Sequence, residues 1–233
     1  MHKNGRFFVS VINEEQFVSS VWDPYAYRHT GEFQVLSQFV TIKKIAVKSV
    51  AGDCLPFEPV EYRDIPRGAY LSFTLRSSDQ RGLRLPTVGE GEVLFGTMRA
   101  YLGNIIVTPF ATWLGQSAPV FFQVKSEFLL ISPHDGLRYF WMAYLRSRQF
   151  LSRLPLGNGG TRPRLQAEDL GRTPVTVPEL SVRENINSEL NKLAKDEWTT
   201  YFRSALVKAL LEEGLDIPLH DHASAGGNNP RTN

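Results

Sequence analysis

The sequence predicts an α+β fold in which a mainly β segment is followed by one long helix. Between Glu92 and Ile131, short apolar runs alternate with turns, which is the pattern of strands in a sheet. From Glu179 to Gly214, apolar residues recur at steps of three and four, which is the period of a helix. The β-rich and helical parts follow one another, which is typical of α+β proteins.

Composition indicates a globular protein with a locally basic stretch. The chain has 233 residues, 42% hydrophobic and 21% charged, with a net charge of only +2, so one or two domains are expected and the whole molecule is no polycation. The arginines cluster in one run that holds few acids, namely Arg138, Arg146, Arg148, Arg153, Arg162, Arg164 and Arg172. Such a run is typical of a nucleic-acid-binding face, and solvated helix arginines are an equal alternative.

Cysteine content and hydropathy exclude several classes of protein. Cys54 is the only cysteine, so the sequence predicts neither an internal disulfide nor a cysteine-based metal site. No apolar run has the length of a membrane span, and the polar start lacks the core of a signal peptide. A soluble cytoplasmic protein is expected.

The elements before Glu92 are predicted with differing clarity. Phe33 to Phe39 fits a short helix or a strand, and the lysines between Val40 and Val50 fit a DNA backbone contact or a solvated strand edge. Ala69 to Leu75 alternates cleanly and predicts a strand. Arg76 to Arg84 is polar and predicts an exposed loop.

The middle of the chain predicts a hairpin, two further strands and a helix. Glu92 to Thr97 is an apolar strand, the turn Arg99 to Asn104 follows, and Ile105 to Thr108 pairs back. Further strands are predicted at Val120 to Val124 and Phe128 to Ile131. Leu137 to Phe150 has helical periodicity, and its aromatic residues are expected in the core.

The stretch from Leu156 to Leu180 combines a flexible loop with potential anion donors. Its glycines allow a sharp turn, and Thr161, Arg162 and Arg164 follow, with Pro163 stiffening the chain between the two guanidinium groups. An arginine pair beside a glycine loop can bind phosphate or a base edge, and a surface turn with solvated arginines is the alternative. A helical turn and a proline-bounded edge strand complete the stretch.

The long helix carries an apolar stripe and an N-terminal capping signal. Ser181 is a predicted N-cap with Glu184 three residues later. At ~1.5 Å per residue the helix is roughly 50 Å long, so we expect it to dock on another helix, with packing along its own domain as the alternative. The predicted partner-facing residues are Val182, Ile186, Leu190, Leu193, Trp198, Tyr201 and Ala205.

In their order, these segments resemble the target recognition domain of type I restriction–modification specificity subunits. The matching segments are the strand and turn Glu92 to Asn104, the helix Arg138 to Leu151, the Gly-Thr-Arg-Pro-Arg-Leu loop at 160–165, the strand Pro174 to Leu180 and the following helix. The resemblance covers about Gly91 to Leu215. The chain as a whole resembles half of a complete specificity subunit, which carries two such domains in tandem.

The resemblance implies an architecture and a division into parts. It implies a curved mixed or antiparallel sheet with flanking helices, followed by one coiled-coil-type helix. The expected boundaries are 1–178 for the DNA target recognition domain, 179–217 for the connecting and dimerisation helix, and 218–233 for a low-complexity tail expected to be disordered.

The resemblance also implies a function in which this chain chooses a DNA site and its partners do the chemistry. The expected partners are double-stranded DNA, DNA adenine methyltransferase subunits that use S-adenosylmethionine, and, as a further candidate, a restriction subunit. The chain itself is expected to bind no cofactor or metal, and to pair with itself or with another specificity chain. The expected DNA-contacting residues are Arg76, Arg81, Arg84, Arg99, Tyr101, Thr161, Arg162 and Arg164.

Two other functions stay open at this point. One is an accessory subunit of a different defence or DNA-modification complex that uses the same domain. The other is a stand-alone DNA-modifying enzyme. Asp23-Pro24-Tyr25 resembles part of an adenine methyltransferase loop, but the second proline and a glycine-rich cofactor loop are absent from the sequence, so we interpret it as a turn. Catalysis by this chain is therefore not expected.

Overall fold

The computed structural model describes residues 34–48, 57–66, 68, 70–76, 84–125, 127–155 and 163–212, with the side chains of Lys48 and 205–212 left aside. Predictions for the first 33 residues, for Arg81, Thr161 and Arg162, for the Ala205 side chain and for the tail lie outside this part. Within it, antiparallel sheets are flanked by helices, and one long helix follows them, which confirms the α+β class.

The strands and helices are numbered in chain order. The strands are β1 (Gln34–Val35), β2 (Val40–Lys44), β3 (Val47–Lys48), β4 (Leu85–Val88), β5 (Val93–Gly96), β6 (Ile105–Val107), β7 (Phe122–Gln123), β8 (Phe128–Pro133) and β9 (Pro174–Val175). The helices are α1 (Arg138–Arg146), α2 (Arg148–Leu151), α3 (Ala167–Gly171) and α4 (Leu180–Glu212).

The main sheet has the order β2-β8-β5-β6, and its neighbouring strands are antiparallel. Strand β5 lies inside it, with Leu94 opposite Leu130 on one side and Ile106 on the other. All four residues of β5 are buried, which suits a run of apolar residues enclosed on both faces. The predicted hairpin between Glu92 and Thr108 is confirmed.

Two smaller sheets complete the β structure of the described residues. Strands β3, β4 and β7 form one, and β1 and β9 pair as a two-stranded ribbon. In the ribbon Pro174 lies opposite Val35. A proline is tolerated there because an edge strand does not need every N–H for pairing, so the predicted edge strand is confirmed.

The predicted helix from Leu137 to Phe150 is divided at Ser147. Ser147 has extended φ and ψ angles of −65° and 144°, and its side chain accepts a hydrogen bond from the Phe150 N–H at 3.2 Å. It ends α1 and caps α2. The aromatic residues of α1 lie in the core as predicted, with Trp141 and Phe140 buried. Within the described residues, no helix combines the length and apolar content needed to cross a membrane.

The prediction of a strand at Ala69 to Leu75 is wrong for the described residues 70–76, which form no strand. Leu71 and Phe73 are buried, so the alternation is correct. The backbone, however, bonds to side chains of α4. Glu197 Oε2 accepts from the N–H groups of Leu71 and Ser72 at 2.9 and 3.0 Å, and the Tyr201 hydroxyl donates to the Leu75 carbonyl at 2.9 Å.

The N-terminal half of α4 is held against α1. Asn187 Oδ1 accepts from the N–H groups of Tyr139 and Phe140 at 3.0 and 3.2 Å, and Arg183 forms an ion pair with Asp135. Donors at the start of α1 are therefore satisfied by a neighbouring helix. The predicted Ser181 N-cap is wrong, because α4 begins at Leu180 and the Arg183 N–H already donates to the Glu179 carbonyl.

The expectation that the whole apolar stripe of α4 faces a partner is also wrong. Trp198 is fully buried in this chain, with its ring 5.0 Å from that of Phe73 in an edge arrangement. Leu190 and Tyr201 pack against the same core. The reason is that segment 70–76 and α1 provide an apolar surface for α4 within its own domain. Val182, Ile186 and Leu193 stay exposed, at 47%, 38% and 56%.

Candidate nucleic-acid interface

Two of the sequence motifs, far apart in the chain, are joined by backbone hydrogen bonds. The Arg99 N–H donates to the Pro163 carbonyl at 3.0 Å, and the Leu165 N–H donates to the Thr97 carbonyl at 3.1 Å. Met98 and Arg164 form an antiparallel bridge between these bonds. The turn after β5 and the arginine loop thus form one surface.

Two polar groups, the Glu127 carbonyl and the Tyr62 hydroxyl, support this junction. The Glu127 carbonyl accepts from the Tyr62 hydroxyl at 2.9 Å and from both the N–H and the hydroxyl of Thr97 at 2.8 Å. The Tyr62 hydroxyl also accepts from the Met98 N–H at 3.2 Å. Burial raises the pKa of Tyr62 to about 12 and so keeps it a neutral donor. These hydrogen bonds therefore hold Thr97 and Met98 in place.

Gly96 is required by the close approach of Tyr62. A Cβ on Gly96 would overlap a ring carbon of Tyr62 and lie 2.9 Å from the Asn104 carbonyl oxygen. Any larger residue would displace the tyrosine that holds the junction. The glycine of the Phe-Gly-Thr motif is thus explained by packing.

The turn itself projects side chains into solvent. It is a 3-10 turn, Ala100–Leu102, enclosed by Arg99 and Gly103, which both have left-handed backbone angles with φ of 50° and 66°. Ala100 is buried, whereas Tyr101 and Leu102 are 57% and 46% exposed. Arg99 is the only non-glycine residue with positive φ in the described part of the chain. That conformation is strained for a side chain with a Cβ.

Arg164 adds a second guanidinium group to this surface. Its Nη2 lies 3.5 Å from Glu127 Oε1, and its side chain is 56% exposed. An exposed pair at that distance contributes little to stability and leaves other donors free. Arg99 and Arg164 can therefore present N–H donors to an anion such as a phosphate.

Of the remaining predicted contact residues, the structure describes Arg76 and Arg84. Arg84 is exposed, and Arg81, Thr161 and Arg162 lie outside the described residues. Arg76 corrects the prediction: its Nη1 lies 2.6 Å from the buried carboxylate of Asp64, and a hydrogen bond from its Nε to Glu58 raises the pKa of Arg76. A guanidinium held by two carboxylates has a structural role, because few of its donors remain for DNA.

Two arginines of the basic run, Arg146 and Arg153, are engaged within the fold. Arg146 donates to the carbonyls of Tyr70 at 2.6 Å and Gly68 at 3.1 Å, and burial lowers its pKa. Arg153 donates to the Thr176 hydroxyl at 3.2 Å. These arginines hold loops in place, so fewer of their N–H donors are available to a ligand than the number of arginines in the sequence indicates.

Sequence reasoning missed three residues at this surface and left a fourth, Arg148, out of the expected DNA contacts. Tyr62 and Glu127 support the junction through a buried hydroxyl and a backbone carbonyl, and neither carries a sequence signal for that role. Leu102 belongs to the Tyr-Leu-Gly-Asn motif, but its apolar side chain would be expected in the core. Arg148 begins α2, which packs against the 3-10 turn, and its side chain is exposed. The signal in the sequence that could have identified Arg148 was its place in the basic run.

Two solved structures are similar to part of this chain. One is a chain from the type I R-M system, described for its complex assembly and conformational transition: 19% identity, 78% of this chain and 43% of that chain, TM-score 0.44. Another is the HsdS subunit from Thermoanaerobacter tengcongensis: 19% identity, 78% of this chain and 42% of that chain, TM-score 0.41. This chain therefore spans less than half of either. No family model and no curated protein matches the sequence.

Proposed function

We propose that this chain is the DNA-recognition subunit of a restriction–modification or methyltransferase complex, with one target recognition domain. The observation that carries the proposal is the junction of the two motif loops. It unites the Arg-Ala-Tyr-Leu-Gly-Asn turn and the Pro-Arg-Leu segment at 163–165, which the sequence resemblance associates with one domain. At the junction Arg99, Tyr101 and Arg164 are exposed on one rigid support.

The chemistry of that surface fits a duplex. Guanidinium groups bind phosphates and guanine edges, and the planar fork of arginine is pre-organised for such paired hydrogen bonds. The left-handed angle of Arg99 is consistent with this role, because strain at a non-glycine residue is commonly retained where function requires the side chain. Chemistry on the DNA belongs to partner subunits in this proposal, with adenine methylation the expected reaction.

Assembly through α4 is the second part of the proposal. Val182, Ile186 and Leu193, here called the outer stripe, are exposed on the described part of the helix. Two antiparallel copies of α4 would cover both outer stripes and hold two recognition domains at a fixed spacing. A bipartite, palindromic site would follow. Docking of the outer stripe on a methyltransferase or on a different specificity chain is the competing arrangement.

The test of the proposed function uses two arginine variants of the full chain. Arg99→Gly removes a guanidinium group and also relieves the positive φ, so it should fold at least as stably as the unmodified chain. Arg164→Ala removes the second group. Each should weaken duplex binding and flatten its salt dependence by about one ion for each phosphate that the variant no longer neutralises.

Lys195→Ala is the matched control, because it removes an exposed positive charge on α4 and not at the junction. The control should leave the salt slope close to that of the unmodified chain. Unchanged affinity and slope in folded Arg99→Gly and Arg164→Ala proteins would remove the junction from the DNA-binding surface. Copurification with a methyltransferase, followed by mapping of methylated sites, tests the partner.

A further inference from the structure

Tyr101 and Leu102 have large apolar side chains that the domain leaves uncovered. They are 57% and 46% exposed at the end of a turn whose neighbours are buried. Burying such side chains contributes roughly 1.5–3 kcal/mol each, so this exposure forgoes stability unless a partner covers them. Because Tyr101 and Leu102 are consecutive residues of one short turn, they form a small projecting apolar tip, here called the apolar point, and not a flat face.

The turn is supported as a rigid projection. The Gly96 N–H donates to the Asn104 carbonyl at 2.8 Å, which closes its base, and the Arg99 N–H is held by Pro163. A Cβ on Gly103 would lie 3.1 Å from Leu151, so α2 packs closely behind the turn. A projection held at both ends can enter a partner without first being ordered.

The charges around the apolar point favour a nucleic acid over a protein. Arg99 and Arg164 are exposed at the base of the turn, and Arg148 is exposed on the helix behind it. Glu127 lies against this group through its pair with Arg164. An apolar point among arginines suits a stacked base step between two phosphate backbones, where apolar side chains separate bases and cations contact phosphates.

From this geometry we propose that Tyr101 and Leu102 form a wedge that enters a base step of double-stranded DNA and kinks the duplex. The inference rests on the proposed DNA-recognition function and adds a mode of contact to it. Since unstacking is easiest at flexible pyrimidine–purine steps, the wedge would also make the chain sensitive to sequence without hydrogen bonds to bases.

The experiment measures affinity and bending on the same DNA. Duplexes are first enriched from a random pool by the unmodified full chain, with any partner that copurifies. The enriched duplex is then labelled at both ends, and energy transfer reports its bend. The variants are a Tyr101→Ala, Leu102→Ala pair and a conservative Tyr101→Phe, Leu102→Met pair, whose melting temperatures should match that of the unmodified chain because both positions are exposed.

The alanine pair should bind roughly tenfold more weakly, the size expected when a base no longer stacks on an aromatic ring. It should also abolish the bend while keeping the salt slope, because the arginines that neutralise phosphates are unchanged. The conservative pair should retain both affinity and bend. An unbent duplex with the unmodified chain, or an alanine pair that binds and bends DNA normally, would overturn the wedge and leave the recognition function in place.

Two further outcomes separate this inference from the proposed function. Normal DNA binding and bending by the alanine pair, together with loss of the copurifying partner, would assign the turn to a protein contact. Failure of the unmodified chain and its partner to enrich any duplex would overturn the recognition function itself, and the wedge with it.

Discussion

Helix α4 carries two apolar stripes, which lie in different surroundings. The inward side carries Leu190, Ala194, Trp198 and Tyr201, which pack on the chain's own core. The outer stripe carries Val182, Ile186 and Leu193, each more than a third exposed. Apolar residues on both sides recur at helical steps, so periodicity alone cannot tell them apart.

One helix therefore contributes to two surfaces at once. Its inward side supplies Glu197 and Tyr201 to the backbone of residues 71–75, and so replaces the strand pairing that the segment lacks. That role needs polar groups at fixed positions. The outer stripe has no such requirement, which leaves it available for assembly. The predictions below separate the two sides, from the largest expected loss of stability to the smallest.

The largest loss is expected for Trp198→Ala. The side chain is fully buried, and its removal would leave a cavity beside Phe73, which costs about 3–5 kcal/mol of unfolding free energy. Chemical denaturation measures it. Trp198→Phe is the control and should lose less, because it keeps an aromatic ring and removes an Nε1–H that has no hydrogen-bond partner among the described residues. A near-neutral alanine variant would place Trp198 outside the core.

A smaller loss is expected for Glu197→Ala. The carboxylate accepts from the N–H groups of Leu71 and Ser72 and from the Ser72 hydroxyl, at 2.9–3.0 Å. Hydrogen bonds to a charged group contribute about 2 kcal/mol in total when water can replace them in part. Amide exchange at Leu71 and Ser72 should accelerate with the loss. Glu197→Gln retains an acceptor oxygen and should fall between; equal exchange in all three proteins contradicts the pairing.

Tyr201→Phe isolates a single hydroxyl on the same side. This hydroxyl donates to the Leu75 carbonyl at 2.9 Å and accepts from the Leu75 N–H at 3.1 Å. Its removal should cost about 1 kcal/mol and increase exchange at Leu75, while the ring stays packed near Trp198. Thr200→Ala, on an exposed position beside it, serves as the control. No difference between the two variants would count against the contact.

The smallest loss of stability, and the clearest change in mass, is expected for Ile186→Glu with Leu193→Glu. Both positions are exposed, so unfolding free energy should change by no more than about 0.5 kcal/mol. If α4 pairs with a second copy, light scattering at about micromolar concentration should show a dimer for the unmodified chain and a monomer for the variant. A monomer in both cases would exclude self-pairing and leave pairing with a different chain.

Local pattern was sufficient for several elements. The hairpin of β5 and β6, the edge strand β9 and the long helix were predicted within a few residues, because each has a local signal. These signals are apolar runs separated by a turn, alternation between two prolines, and a period near 3.6. The order of the motifs also indicated the family that the chain resembles. These features are set by residues that are close together in the sequence, so one sequence is enough to predict them.

Tertiary contacts decided the rest, because the relevant partners are distant in sequence. Segment 70–76 has the alternation of a strand, yet several of its backbone partners are side chains of α4. Arg76 and Arg164 are both predicted DNA contacts, and only the carboxylates of Glu58 and the buried Asp64 give Arg76 a structural role. The candidate site arises because residues 97–99 meet 163–165, a junction supported by the Tyr62 hydroxyl. Such encounters are set by the packing of the whole core, so no local pattern specifies them.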